Sequence, residues 1–149
     1  MSFTKIAVLG LGKVGTLAAT LLREGGFEVT GIDARARTGL PFPTATVDLA
    51  SPAATGKALA PFEAVLSCLP YHLNAAVAKA AHELGLHYFD LTEDVASSRT
   101  VREMAADAPC AFVPQCGLAP GFVTIAAWDL AKHFDQLHDV RLRVGALPR

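Results

Sequence analysis

Short apolar runs alternate along this chain with stretches whose apolar residues recur every third or fourth position. Ile6-Ala7-Val8-Leu9 is brief and continuous, the mark of a buried strand, and Gly10 bounds it. Lys13 to Glu24 then sets Val14, Leu17, Ala18, Leu21 and Leu22 on one helical face and closes at Gly25-Gly26. Phe27 to Ile32 carries the β-branched residues of a second strand. Gly39, Pro41 and Pro43 make residues 34 to 46 loop. Ala45 to Leu49 reads as a weak third strand, and Ser51-Pro52 as a helix N-cap followed by proline in the first turn.

The alternation continues. Ala64 to Leu69 is a fourth strand stopped by Pro70. An Ala-rich helix over Leu73–Leu84 ends at Gly85. Tyr88 to Leu91 is a fifth strand and Val95 to Ala106 a helix. Ala111 to Val113 is a sixth strand, Phe122 to Phe134 an amphipathic helix, and Val140 to Val144 alternates like a last strand. Strands separated by helices of this length need crossover connections, hence a parallel sheet covered on both faces. Right-handed crossovers predict a three-layer, doubly wound α/β domain with strand order 3-2-1-4-5-6, and ligands in such sheets lie beyond the carboxyl ends of the strands.

Composition narrows the picture. Of 149 residues, 52% are hydrophobic and 18% charged, enough for one domain with a full core and too apolar for a disordered chain. A net charge of −1 offers no footprint for nucleic acid or an anionic membrane. The N-terminus runs straight into a strand pattern with no signal-peptide features, and no apolar stretch reaches the length of a membrane span. Three cysteines, Cys68, Cys110 and Cys116, without Cys-x-x-Cys spacing suggest reduced thiols in a cytoplasm. The five histidines show no metal-ligand spacing, and His82, His133 and His138 are expected on solvated faces.

The chemistry is concentrated at the predicted strand ends. Gly10-Leu11-Gly12-Lys13-Val14-Gly15 follows the first strand and opens the first helix. In that pattern Gly10 makes the tight turn, Gly12 lets backbone approach a pyrophosphate, and Gly15 lets helix and strand pack closely. Lys13 and Val14 lie at the helix N-terminus, whose free N–H groups and positive dipole suit a phosphate. Asp33 ends the second strand, where a carboxylate accepts the adenosine ribose hydroxyls and repels a 2′-phosphate, which favours NAD. Arg35 and Arg37 follow. Either can hold a phosphate or stack on adenine, or be a solvated loop residue, so NADP stays open.

Ser67-Cys68-Leu69-Pro70, after the fourth strand, is expected to run beneath the ribose and pyrophosphate, and Tyr71-His72 either to present a titratable group near the nicotinamide or, more commonly for a loop histidine, to be merely exposed. Asp90-Leu91-Thr92-Glu93-Asp94 follows the fifth strand. Its acids either orient an amine substrate or cap the helix near Val95, and Leu91-Thr92 faces the nicotinamide. The stiff loop Gln115-Cys116-Gly117-Leu118-Ala119-Pro120-Gly121, with Gly117 and Pro120, reads as a wall of the nicotinamide site. No residue stands out as catalytic acid or base.

The chain resembles the saccharopine dehydrogenase family, including its lysine 6-dehydrogenase-like members. The resemblance runs from Lys5 to Pro148. Beyond the Gly10–Gly15 hexad it rests on Leu69-Pro70-Tyr71-His72-Leu73-Asn74, His87-Tyr88-Phe89-Asp90-Leu91-Thr92-Glu93, Cys116-Gly117-Leu118-Ala119-Pro120-Gly121-Phe122 and Val144-Gly145-Ala146-Leu147-Pro148. It implies a Rossmann-type NAD(P)-binding domain and hydride transfer at C4 of the nicotinamide, coupled to making or breaking a C–N bond of an amino acid. Family members continue past the Gly-x-Leu-Pro segment into a substrate domain. The expectation is therefore a dinucleotide-binding domain over residues 1–138 and, over 139–149, the start of a connection to a domain this chain lacks. The isolated chain should bind cofactor with little turnover. An amino-acid substrate and further copies of the chain are the expected partners. Residues 5 to 37 also resemble nucleotide-sensing domains of potassium channels and transporters. Thr46-Val47-Asp48-Leu49-Ala50-Ser51 and the Cys116–Phe122 loop depart from that pattern.

Overall fold

In the computed structural model, which describes residues 3–145, six strands form one parallel sheet in the order β3-β2-β1-β4-β5-β6. In chain order the elements are β1 (Lys5–Leu9), α1 (Lys13–Glu24), β2 (Glu28–Asp33), β3 (Thr44–Thr46), α2 (Pro52–Leu59) and β4 (Ala64–Ser67). A 3-10 turn (Tyr71–Leu73), α3 (Asn74–Leu84), β5 (His87–Asp90), α4 (Val95–Ala105), β6 (Phe112–Val113) and α5 (Phe122–Ala131) follow. The register sets Leu9 beside Ile32 and Ser67, and Ser67 beside Asp90, so the carboxyl ends of β1, β2, β4 and β5 make one edge. The doubly wound expectation and its strand order hold.

Local signals account for the boundaries. Ser51 Oγ accepts from Ala54 N at 3.4 Å with Pro52 at the first helical position, as the sequence suggests for α2. Gly85, at φ 67°, closes α3 in the left-handed conformation that lacks a Cβ penalty only in glycine. β3 begins and ends earlier than expected. Asp48 accounts for the early end, since its carboxylate accepts from Ala50 N at 3.1 Å and turns the chain towards α2; the start at Thr44 follows its pairing with Gly31.

The two faces of the sheet are unequally covered. On one, Ala7, Leu9, Ile32, Val65 and Tyr88 pack under Leu59 of α2, Val77, Ala78 and Ala81 of α3 and Val101 of α4. On the other, Ile6, Val8 and Val29 are covered by Leu11, Ala19 of α1 and Phe42. There β4 and β5 leave Leu66 and Phe89 half-buried, on the floor of an apolar cleft of about 470 Å³ flanked by Val14 and Ala18.

The C-terminal part departs from expectation. Residues 140–144 form no strand: β6 is two residues long and gives an edge too short to seat a five-residue partner. α5 stops at Ala131, and it is apolar all round rather than amphipathic, with no buried residue and Trp128 71% exposed. His133 and His138 are exposed as expected, whereas His82 is half-buried with Nε2 3.0 Å from Asp107 Oδ1. α3 carries it over the edge of Phe112, which covers part of the ring. Ala146, Leu147 and Pro148 of the expected connection lie outside the described residues.

Candidate functional site: a dinucleotide cleft at the strand ends

β1 delivers the chain to Gly10, whose φ of 85° turns it sharply while its N–H donates to Ile32 O at 2.8 Å. A Cβ on Gly10 would also stand 2.9 Å from Cys68 O, so the first glycine answers both conformation and crowding. A Cβ on Gly15 would overlap Gly10 O, and α1 reaches β1 this closely only because none exists. Gly12 is different. Its backbone is ordinary (φ −74°, ψ −167°), and a Cβ there meets nothing within 4 Å. The protein itself gives no reason for a glycine at that position. The open space stands in front of the first amides of α1, as a phosphate cradle requires.

Asp33 sits at the end of β2, 8% exposed. Its Oδ2 accepts from Leu11 N at 2.8 Å and from Arg37 Nη2 at 3.3 Å, and its Oδ1 from Arg35 N at 2.9 Å. Burial pushes its pKa up, but the backbone donors Arg35 and Leu11, with the Arg37 guanidinium, outweigh it and hold the carboxyl below its ordinary value. The acid is thus ionised, aimed at the glycine loop and already paired. Arg35 contributes only its backbone; its side chain is exposed. Arg37, the second arginine of that loop, is the one that touches the carboxylate, and spacing alone did not separate the two.

A cleft of about 360 Å³ opens beside the loop between β4 and β5, lined by Val14, Cys68, Leu69, Tyr71, Leu91 and Thr92. Gly117 approaches from below: a Cβ there would lie 3.1 Å from Leu91 O. The structure therefore gathers Gly10, Gly15, Val14, Cys68, Leu69, Leu91, Thr92 and Gly117 at one edge. Pro120 shares the Gly117 loop, closed by a Gly117–Gly121 bridge and by Phe122 N donating to Gly117 O at 2.9 Å. Lys13 and Pro70 are exposed, and Ser67 is buried with its hydroxyl donating to Asn74 Oδ1 at 2.7 Å, away from the cleft. Tyr71 and His72 are exposed as expected. Burial raises the Cys68 thiol to about 11, and burial with the nearby Asp90 raises Cys116, so neither is a thiolate nucleophile at neutral pH.

The acid run after β5 divides by role. Asp94 caps α4, accepting from Ser97 N at 2.7 Å. Asp90 is fully buried and faces inward, so it does not orient a substrate amine. Its Oδ2 accepts from the Tyr88 hydroxyl at 2.7 Å, and its Oδ1 from Thr92 N at 2.9 Å and Gln115 N at 3.1 Å. Its carbonyl takes Cys116 N at 2.7 Å. Burial, then Asp90, drives the Tyr88 hydroxyl far up in pKa, keeping it a donor. Sequence reasoning missed this hub because its partners come from β5 and from the loop after β6.

A parallel sheet in this order, with a glycine hexad at its switch point and an acid ending β2, defines a doubly wound dinucleotide-binding domain. More narrowly, the chain belongs to the saccharopine dehydrogenase NADP binding domain family, whose model matches residues 6–113. Among solved structures it is similar to apo saccharopine dehydrogenase (L-Glu forming) from Saccharomyces cerevisiae, with TM-score 0.71 and 20% identity over 87% of this chain and 31% of the yeast one. It is also similar to the NAD(P)-binding domain of an exopolyphosphatase-related protein from Archaeoglobus fulgidus (TM-score 0.65, 17% identity, 89% of this chain and 100% of that one). A third is the Bordetella bronchiseptica enzyme WbmH in complex with NAD+ (TM-score 0.57, 15% identity, 76% and 55%). At these identities the likenesses are of fold. The chain spans less than a third of the length of the yeast dehydrogenase. Among the described residues no helix is long and apolar enough to cross a membrane.

Proposed function

We propose that this chain is the cofactor-binding domain, over residues 1–138, of an oxidoreductase acting on a CH–NH bond of an amino acid, of the saccharopine or lysine dehydrogenase kind. The observation that carries the reading is the cradle at Gly12, open where the fold has no use for a glycine, next to the Leu11 amide that Asp33 holds. The adenosine ribose lies over Asp33, and the pyrophosphate on Gly12 and the amides of Lys13 and Val14. The backbone of Ser67, Cys68, Leu69 and Pro70 runs beneath, and the nicotinamide ring stands by Leu91, Thr92, Gly117 and Pro120. Bound there, the cofactor supplies a hydride donor or acceptor at ring carbon C4. Val14, Leu69 and Leu91 give that ring an apolar wall, which favours hydride transfer over side reactions once the pocket is closed.

In this reading residues 139–149 lead towards a substrate domain holding the amino acid, the protein is cytoplasmic, consistent with unpaired thiols, and it assembles as a homo-oligomer. NAD is the preferred cofactor because Asp33 is ionised. Asp33→Ser should weaken NAD binding by about 1.5–3 kcal/mol, the range for hydrogen bonds to a charged group, and raise the NADP-to-NAD affinity ratio. Calorimetry reads both, and an unchanged ratio would place the discrimination elsewhere. The enzyme itself is tested by absorbance at the reduced nicotinamide band. The chain should bind NAD yet show no lysine- or saccharopine-dependent reduction, and reduction should appear once a substrate domain is encoded with it. Full-length protein that turns over no amino acid, but alters a transport partner's activity with nucleotide, would establish a sensor instead.

A further inference from the structure

Asp90 is fully buried, and the donors that reach its carboxylate are all uncharged. They are the Tyr88 hydroxyl at 2.7 Å and the amides of Thr92 and Gln115 at 2.9 and 3.1 Å. Among the described residues no lysine, arginine or histidine forms an ion pair with it. The Arg102 guanidinium enters the same network but is exposed and stops at Gln115 Oε1, at 2.8 Å. A buried charge is ordinarily paired with one of opposite sign. Holding the loops together does not call for a charge. An asparagine at this position offers the same acceptor to both amides and its NH2 to the Tyr88 oxygen, whose hydrogen then turns to Asn74 O at 3.4 Å. The other acids of the run are set differently: Glu93 is exposed, and Asp94 spends its carboxylate on Ser97 N at the start of α4. The field of Asp90 reaches the wall of the cleft, since after burial its charge is what raises the Cys116 thiol.

We propose, resting on the dinucleotide reading above, that the Asp90 carboxylate sets the redox poise of the bound cofactor, holding the oxidised form in preference to the reduced one. The two forms differ at the nicotinamide ring by one charge. The oxidised ring is cationic; the reduced ring is neutral and carries one more hydrogen and two more electrons at C4. Asp90 touches neither form. It acts across Thr92 and the 115–121 loop, through protein that screens a charge far less than water does. Favouring the cationic ring lowers the potential of the bound couple and poises the domain to give hydride up, the direction that turns a C=N bond into a CH–NH bond.

The test is equilibrium binding of NAD+ and NADH, by calorimetry and ligand fluorescence, to the wild-type chain, Asp90→Asn, Glu93→Gln and Cys116→Lys. Asp90→Asn should weaken NAD+ about tenfold, the scale of two unit charges roughly 12 Å apart at an effective dielectric of about 20, and leave NADH nearly unchanged. That change in ratio is a rise of about 30 mV in the potential of the bound couple. Adenosine 5′-diphosphate, which lacks the ring, should bind wild type and Asp90→Asn alike, and urea unfolding reads stability separately. Glu93→Gln should leave the ratio where it is. Cys116→Lys sets a cation in the field of the carboxylate at an exposed position and should move the ratio in the same direction as Asp90→Asn; it decides the matter if that variant does not fold. An unmoved ratio, with both affinities falling together or neither changing, shows Asp90 to be only a tie between loops and overturns the proposal, as does a ratio that follows Glu93. Either result leaves the dinucleotide site standing. Wild-type chain that binds neither nucleotide overturns both readings.

Discussion

The two ends of the cleft are built in opposite ways. At the adenosine end, the glycine loop and Asp33 come from one crossover, β1-α1-β2, and their shape follows from contacts among near neighbours: Gly15 on Gly10, Gly10 on Ile32, Leu11 on Asp33. At the nicotinamide end, Leu91, Thr92 and the 115–121 loop arrive from separate strands, and one buried side chain, Asp90, ties them together. The shape of the first end is part of the fold and is lost only with it, although a side chain added at Gly12 can fill it. The second is an assembly laid on the fold, and it can be lost alone.

Substitutions at Gly15 and Gly12 should show this most strongly. Gly15→Val forces a branched side chain into the Gly10 carbonyl, so the sheet and α1 must part; a loss of several kcal/mol, at or beyond the usual overpacking range of about 1–3, is expected in urea unfolding. Gly12→Val meets no protein atom, so its unfolding curve should overlay wild type while NAD affinity collapses. A Gly12 variant that still binds NAD would move the phosphate site elsewhere.

Asp90→Ala addresses the other end. It strands the amides of Thr92 and Gln115, leaves the Tyr88 hydroxyl only Asn74 O at 3.4 Å, and should cost about 2–4 kcal/mol in the same assay. Adenosine 5′-diphosphate, which reaches only the first end, should keep its affinity for this variant. Loss of that affinity in parallel with stability would show that the two ends are one unit after all.

The smallest effect is a pH dependence at Asp33. Its folded pKa is depressed, so the stability it contributes is full above the unfolded value, near pH 4, and drains away as pH falls below that towards the folded value. The stability difference between wild type and Asp33→Asn should be constant from pH 7 to about 5 and shrink at more acidic pH. A gap that widens on acidification would contradict the depressed value.

What the sequence disclosed divides along the same line. The hexad, Asp33 and the strand order were legible because each depends on neighbours in the chain or on crossover handedness. The role of Asp90 was not: between Phe89 and Leu91 it resembles any acid at a strand end, and only Tyr88 and Gln115, brought in by tertiary structure, turn it inward. Arg35 and Arg37 are equivalent as letters and differ by which one the turn at Asp33 directs back to the carboxylate. The alternation at 140–144 was a pattern without a partner, and pairing, not periodicity, makes a strand.

Asp90 Oδ1 accepts both the Thr92 and the Gln115 amides. Two loops that follow different strands thus end on a single oxygen. An opening that moves Asp90 releases both amides at once, so the loops are expected to open in concert. In deuterium exchange, Thr92 and Gln115 would share one opening free energy despite lying far apart in the chain, a cooperative unit defined by an atom instead of an element.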